Sequence, residues 1–524
     1  MKAIYKYFLI HLKIITIRKI KIATFDSLTK YNELMINDLE AKITNLFKSS
    51  FIYGLGSIAQ SGLNFILIPI MTLFLTQEEF GVYSLIMMSG LIASTIFYLG
   101  ITSALPRSYF EYSDERKRKI IFSTGLMIII LGSIFQILVG YLFKDNISTL
   151  LFREILETEA IFWSFFAGSI GILIQYLLGF MRILKLAITS VFVNILSLLL
   201  SLFLIISALY LFPENRILAT FIALTISQFI SFFIISLIIV SKHFLFKVDF
   251  LELKKLLVFG IATVFVAAGH MFLEWSDRFI IERFMTVSDV GLYSASVRIG
   301  SIINVLMIVP FVQIWNPMMM EYKNDKDIKD FFSRIMSYFM IVGLVFLIPG
   351  IIFSLELSSL LINIEDINFN TLSVITSLFM ISYFIYGFSN ITTAGILYER
   401  KTHILPFIYI AFGILKFYLG MLLVSNFGLI GLSFIAVLIS TCLPVTFYFV
   451  SKSYFSFNPQ VKTILKSIMI IFLLLLFKYY EFSNQVGFIF KMAMILFFYY
   501  FVYTNFLKTI ERRKIRIFLK SKIF

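Results

Sequence analysis

Apolar runs of about twenty residues recur along this chain from Phe51 to Leu507, parted by short polar breaks. A helix rises 1.5 Å per residue, so each run is long enough to cross the roughly 30 Å of a bilayer's hydrocarbon. The pattern predicts fourteen spans, at approximately 51–75, 82–105, 119–143, 158–181, 187–211, 217–241, 256–281, 291–316, 331–354, 370–396, 403–425, 428–451, 464–481 and 486–507. All are expected to be helices, because lipid offers a backbone no hydrogen-bonding partner outside its own segment. The fold class is therefore an all-α polytopic membrane protein, with no stretch suited to a soluble domain.

Composition agrees: 60% of the 524 residues are hydrophobic and 14% charged, and the mean hydropathy is +0.94. The formal charge of +15 invites a nucleic-acid reading, which its distribution argues against. With the amino terminus inside, Lys and Arg collect in cytoplasmic segments, at 116–119, at Lys254 and Lys255 and in "ERRKIR" 511–516, whereas "TQEEFG" 76–81 and "LINIEDINFN" 361–370 have none. This is the positive-inside pattern. It sets both termini in the cytoplasm and assigns the basic charge to topology and to membrane lipid head groups.

Residues 1–45 are a basic leader, apolar but broken by Lys and Arg every few positions, unlike a signal peptide or a span. They read either as an amphipathic helix on the inner surface or as a mis-assigned start ahead of Met35, the second reading being preferred. Cys442 stands alone, the four histidines have no ligand spacing, and there is no Walker A pattern, so no metal or bound cofactor is expected.

A shift of 210 residues lays "FLTQEEFGVYS" 74–84 on "FMTVSDVGLYS" 284–294, matching Thr76, Gly81, Tyr83 and Ser84 to Thr286, Gly291, Tyr293 and Ser294, and continues ungapped to Glu111 and Tyr112 over Glu321 and Tyr322. Equal positive-inside signals follow spans two and eight, so the copies run parallel. Parallel repeats about an axis along the membrane normal are a known transporter plan, with substrate between the halves. The expected organisation is an N-lobe over 46–241, a cytoplasmic linker over 242–255, a C-lobe over 256–452, and two further helices with a basic tail over 453–524.

The segments "FIYGLGSIAQSGLNFILIPIMTLFLTQEEFGVYSLI", "FGIATVFVAAGHMFLEWSDRFIIERFMTVSDVGLYS" and "YGFSNITTAGILYERKT" closely resemble the Wzx-type oligosaccharide-lipid flippases of the multidrug/oligosaccharidyl-lipid/polysaccharide exporter superfamily. The resemblance covers roughly residues 46 to 507. It implies two six-helix lobes around a central cavity that opens alternately to either side. It also implies an undecaprenyl-diphosphate-linked oligosaccharide, an O-antigen or capsule repeat unit, as the substrate, moved from the cytoplasmic to the periplasmic leaflet of the bacterial inner membrane. A glycan polymerase and chain-length machinery are the partners expected alongside.

Ionisable residues within spans mark the candidate site. A charge at mid-span costs roughly 2.5–3.5 kcal/mol on insertion scales, so such groups usually face a bundle interior or a wet cavity. His270, Glu274, Asp277 and Arg278 fall within an arc of about 100° on one helix, opposite Phe265, Phe272 and Phe279. Glu274 is the candidate for coupling a proton or sodium ion, against simple pairing with Arg278 at i, i+4. Asp277 and Arg278 join that network or reach the outer interface, and His270 is either a proton-responsive group or a neutral, hydrogen-bonded histidine. Arg298 and Lys416, both in the second lobe, are expected to meet in one cavity and hold pyrophosphate or acidic sugar, against pairing with a carboxylate. Tyr53, Gln60 and Asn64 form a polar stripe on span one suited to sugar hydroxyls or to helix packing. Lys491 is expected to snorkel, and Trp275 and Trp315 to anchor at the interfaces.

Two rivals stay open. A membrane glycan polymerase is disfavoured, since no outward segment exceeds about twenty residues. A multidrug or organic-cation antiporter of the same superfamily is nearer, though it more naturally has twelve spans and an acid-dominated site.

Overall fold

The computed structural model describes residues 65–184, 186–321, 328–364, 367–399, 401–483 and 487–506, all within one compact unit, Ile52–Phe524. Tyr53, Gln60, Asn64 and the leader lie outside the described residues. Among the latter every regular element is a helix. The first half comprises α1 (Phe65–Phe74), α2 (Gln77–Phe97), α3 (Ile101–Glu111), α4 (Glu115–Leu142), the short α5 (Lys144–Phe152), α6 (Thr158–Ile183), α7 (Ala187–Leu211) and α8 (Arg216–His243). The second half begins with α9 (Phe250–Phe284) and α10 (Val287–Gly300), which runs through a π-helical turn at Asn304–Ile308 into α11 (Val309–Glu321). It continues with α12 (Ile328–Ile352), the short α13 (Ser354–Leu361), α14 (Phe369–Tyr386), the brief α15 (Ser389–Thr392) and α16 (Ala394–Tyr398), and α17 (Ile404–Lys452). The last pair is α18 (Val461–Ser483) and α19 (Phe488–Asn505).

Eleven helical segments among the described residues are long and apolar enough to cross a membrane, fewer than the fourteen expected spans. The counts differ at three places. Only the ten residues Phe65–Phe74 of the first span are described. α17 counts once, although Gly428 breaks it with φ 54° and ψ −146°, between the spans expected at 403–425 and 428–451. α18, which carries Lys462, Lys466, Lys478 and Glu481, is not among the eleven. Large side chains such as Leu131, Phe192, Phe233 and Phe407 stand more than half exposed, as lipid-facing surfaces require.

The two copies of the repeat start alike and touch at their starts. Thr76 Oγ1 accepts from Glu79 N at 3.2 Å while Glu79 Oε2 accepts from Thr76 N at 2.8 Å. Thr286 and Asp289 repeat this reciprocal cap ahead of α10, both bonds at 3.1 Å. Such boxes satisfy two otherwise orphaned donors at a helix start. Just inside each cap, Gly81 of α2 and Gly291 of α10 let the helices approach backbone to backbone, and Gln77 Nε2 donates to Ser288 O at 3.0 Å. Between lipid-bathed helices association rests on close packing, which small residues permit. One apolar cluster then runs through both halves, including Phe80, Tyr83 and Ile86 of α2, Val290 and Tyr293 of α10, and Leu432 of α17.

Candidate functional site

α9 is 35 residues long and starts on Asp249, whose carboxylate accepts from the amides of Leu251 and Glu252. Its far end carries the polar stripe. Asp277 and Arg278 are 1% and 3% exposed, so they face protein and not the outer interface. Lys416 of α17 donates to Asp277 Oδ2 at 2.6 Å and to Leu273 O at 2.8 Å, and the Tyr293 hydroxyl of α10 donates to the same carboxylate oxygen at 2.5 Å. Three helices are thus pinned on one carboxylate. Asp277 Oδ1 has no donor among the described residues. A buried charge is tolerable when paired and hydrogen-bonded, which explains why α9 keeps an acid here.

Arg278 meets Glu274 only at its backbone, Nη1 donating to Glu274 O at 3.5 Å. Its Nε donates to Ser294 Oγ at 3.1 Å and its guanidinium lies 4.1 Å from the centre of the Trp275 ring. The i, i+4 ion pair open to Glu274 and Arg278 is not made, and Trp275 serves as the face on which the cation rests. Glu274 keeps a side chain 38% exposed, with His270 Nδ1 at 3.8 Å and the Tyr383 hydroxyl within hydrogen-bonding reach. The His270 ring sits between Tyr386 and Tyr409, at 5.6 Å from each centroid, and the two tyrosine hydroxyls share a 3.3 Å hydrogen bond. Glu274 and His270 therefore form an accessible acid and imidazole in an aromatic wall, distinct from the sealed Asp277 pair one turn away.

Arg298 and Lys416, expected to share one cavity, have separate partners. Lys416 is 4% exposed and spent on Asp277; the nearest acid won over the cavity because an unpaired ammonium at that depth is costly. Arg298 is half-buried where the two repeats meet, its guanidinium 5.6 Å from both the Phe80 and Tyr83 rings of α2. Among the described residues it forms no ion pair with a carboxylate.

Two further expectations are corrected. Lys491 does not snorkel: it is 1% exposed and pairs with Glu356 of α13 at 2.5 Å and with Glu481 of α18. Trp315 is no interfacial anchor, being 1% exposed with Nε1 donating to Asn390 O at 2.9 Å.

With this geometry in view, residues 46–323 match the family described as "Polysaccharide biosynthesis protein". The chain belongs to that family. A Haemophilus influenzae protein described as an "Uncharacterized membrane protein" is 23% identical over 270 residues, 50% of this chain and 63% of the relative, so the match spans less than two thirds of the relative's length. Among solved structures, the lipid II flippase MurJ in an inward closed conformation superposes with a TM-score of 0.66 at 16% identity, covering 88% of this chain and 98% of that one. An inward-facing multidrug resistance MATE family transporter of the MOP superfamily gives 0.62 at 13% identity, covering 75% and 94%. These likenesses establish the fold shared by flippase and exporter.

Within this member of the polysaccharide biosynthesis family, the residues that serve the charges were partly visible beforehand. Tyr293 and Ser294, which hold Asp277 and Arg278, are the second-copy counterparts of Tyr83 and Ser84. The first copy has no such charges: Tyr83 stacks on Phe221 at 5.4 Å, and Ser84 Oγ is buried with no partner among the described residues. Tyr386 and Tyr409 gave no signal, since tyrosines in spans are common and nothing in the sequence brings them to His270.

Proposed function

We propose that this chain flips undecaprenyl-diphosphate-linked oligosaccharide repeat units from the cytoplasmic to the periplasmic leaflet of a bacterial inner membrane, by alternating access, in the synthesis of O-antigen or capsule. The basic end of the helices, with residues 116–119 and 254–255, lies in the cytoplasm together with both termini. Residues 46–241 and 256–452 rock against one another, and α18 and α19 accompany the second body. The chain acts as a transporter, without a catalytic group, and works beside a glycan polymerase and chain-length machinery.

The observation that carries this reading is Arg298: a guanidinium at the meeting of the repeats, set against two aromatic rings of α2 and, among the described residues, without a carboxylate partner. Such a group is available to an anion, and guanidinium offers phosphate paired hydrogen bonds. Lys416 acts at one remove, by fixing Asp277. Glu274 and His270 couple a proton or sodium ion to the movement, being the accessible titratable groups of the stripe.

The same Glu274, half-exposed among tyrosines, is the observation that favours the second reading, an antiporter of organic cations. The two are separated by one strain. Without this gene, surface glycan should be lost and its lipid-linked precursor should accumulate inside; the wild-type chain should restore export. Arg298→Gln should reach the membrane at the wild-type level and fail to restore it, with Arg298→Lys intermediate. Full export by Arg298→Gln would remove the anion site. Normal glycan in the deleted strain, with new sensitivity to cationic drugs, would establish the antiporter instead.

A further inference from the structure

The glycines close one end of the helices, and charges close the other. Where α3 passes into α4, residues 111–117 lie against the start of α9. Lys117 Nζ donates to Asp249 Oδ2 at 2.5 Å, the Tyr112 hydroxyl donates to Glu252 Oε1 at 2.8 Å, and Lys255 reaches the same Glu252 oxygen at 2.9 Å and Glu111 at 3.6 Å. Both ammonium groups also lie over the Tyr112 ring, at 5.2 and 5.6 Å. This latch joins the two halves at the basic end.

It is a weak lock. The Lys117 and Lys255 side chains are 28% and 41% exposed, and ion pairs that water reaches are screened and hold weakly. Glu252 is fully buried, yet its Oε2 has no donor among the described residues. An orphaned buried acceptor is destabilising, and opening the latch returns that oxygen to water. The lysines are three-donor point charges that suit phosphate as well as carboxylate.

We propose that this latch is an anion-exchange site: Lys117 releases Asp249 at the cap of α9, Lys255 releases Glu111 of the facing half together with Glu252 of its own helix, and the two lysines take the lipid-borne diphosphate of the cargo, which thereby opens the end through which it enters. The inference rests on the flippase reading and deepens it, naming a first diphosphate site ahead of Arg298. Ordinary anionic lipids share the phosphate chemistry with less charge, and free pyrophosphate shares the charge without the lipid.

The test uses the full chain in nanodiscs, with Cys442→Ser and spin labels at Ser113→Cys, ahead of α4, and Leu251→Cys, in the first turn of α9, both exposed positions. Undecaprenyl diphosphate or phosphatidylglycerol is added to the bilayer, or inorganic pyrophosphate to the buffer, and lipid binding is read in parallel by native mass spectrometry. Undecaprenyl diphosphate should lengthen the distance at a mole fraction where the other two do not. Its binding midpoint should rise about tenfold in Lys117→Gln with Lys255→Gln, equivalent to ~1.4 kcal/mol, and fall several-fold in Asp249→Asn with Glu252→Gln. A mere strut would open in both double variants without moving the midpoint in opposite directions. That result, equal opening by phosphatidylglycerol or pyrophosphate, or no opening at all, would overturn the proposal. A strain that exports glycan normally without this gene defeats the flippase reading whatever the labels do; an indifferent latch in a chain that export requires defeats the latch alone.

Discussion

Gly81 and Gly291, counterparts 210 residues apart in the repeat, face each other across the axis that relates the two halves. A methyl group on Gly81 would stand 2.0 Å from Val287 O, and one on Gly291 would stand 2.1 Å from Gln77 O and 3.1 Å from Gly81 N. Each residue thus meets the surroundings of its own counterpart, as residues on a two-fold axis do. The obstacles are backbone atoms, which cannot swing aside.

This contact is expected to break and reform in each cycle. Cysteines at Gln77 and Ser288, in a Cys442→Ser background, should cross-link under oxidation, stop glycan export and release it again on reduction. Gly81→Ala should reach the membrane yet export poorly, because α2 and α10 must separate to admit a methyl group. Undiminished export by the cross-linked protein would mean that this end never opens.

The Asp277–Lys416 pair predicts a thermodynamic cycle. Either Asp277→Asn or Lys416→Met alone leaves a buried charge unpaired and should cost about 3–5 kcal/mol. Thermal melting in detergent should show a large fall for each single variant and a partial recovery for the double. If Lys416→Met melts like wild type while export fails, the ammonium serves cargo and not structure.

Lys491 predicts a coupling within the last helices. It holds Glu356 of α13 and Glu481 of α18, and Lys478 also pairs with Glu481 at 2.5 Å. Lys491→Met should strand acids on two helices, exposing α19 to limited proteolysis, and Lys491→Met with Glu356→Gln should restore much of the protection. Equal cleavage of wild type and single variant would show that the network contributes nothing to docking this pair.

Asp249, just ahead of α9, predicts an acid limit. The hydrogen bond from Lys117, helped by the amides of Leu251 and Glu252, holds its carboxyl below the ordinary 3.8 despite the opposing effect of burial. A depressed acid contributes its stability above the unfolded pKa and loses it as pH falls through the folded one. Without ligand, the distance between labels at Ser113 and Leu251 should therefore stay constant from neutrality to about pH 5 and lengthen only in stronger acid. Lengthening near neutrality would assign the closure to another group.

What could be read from the chain follows from what is local. Run length and polarity mark the helices, and the ungapped shift finds Gly81 with Gly291 and the Tyr-Ser pairs, because each depends on spacing alone. Partnership across the fold does not. Glu274 lies at the favoured spacing from Arg278, yet Ser294 and Trp275 take the guanidinium, since burial among helices outweighs the few tenths of a kcal/mol of an i, i+4 pair. Lys416 and Asp277 are 139 residues apart, and Lys491 and Glu356 are 135; their depth was legible, their neighbours were not. Trp315 shows the same limit, its position near a span end saying nothing of the Phe311 and Phe332 rings that enclose it.

The left-handed step at Leu99 and Gly100 divides one membrane span into two rods with different duties. α2 carries the glycine contact with α10, whereas α3 and the loop beyond it carry the charged contact with α9. At the joint itself, a methyl group on Gly100 would strike Gly260 O at 2.2 Å, so α9 bears directly on the break. A leucine held at φ 51° costs about 1–2 kcal/mol, a strain that an unbroken helix would not carry. A straight rod would behave as a seesaw, prising one door open whenever the other swung. On the proposed flippase reading, a jointed rod lets each door move while its twin stays bolted, which is the condition for passing a large polar head group without leaving a hole for ions.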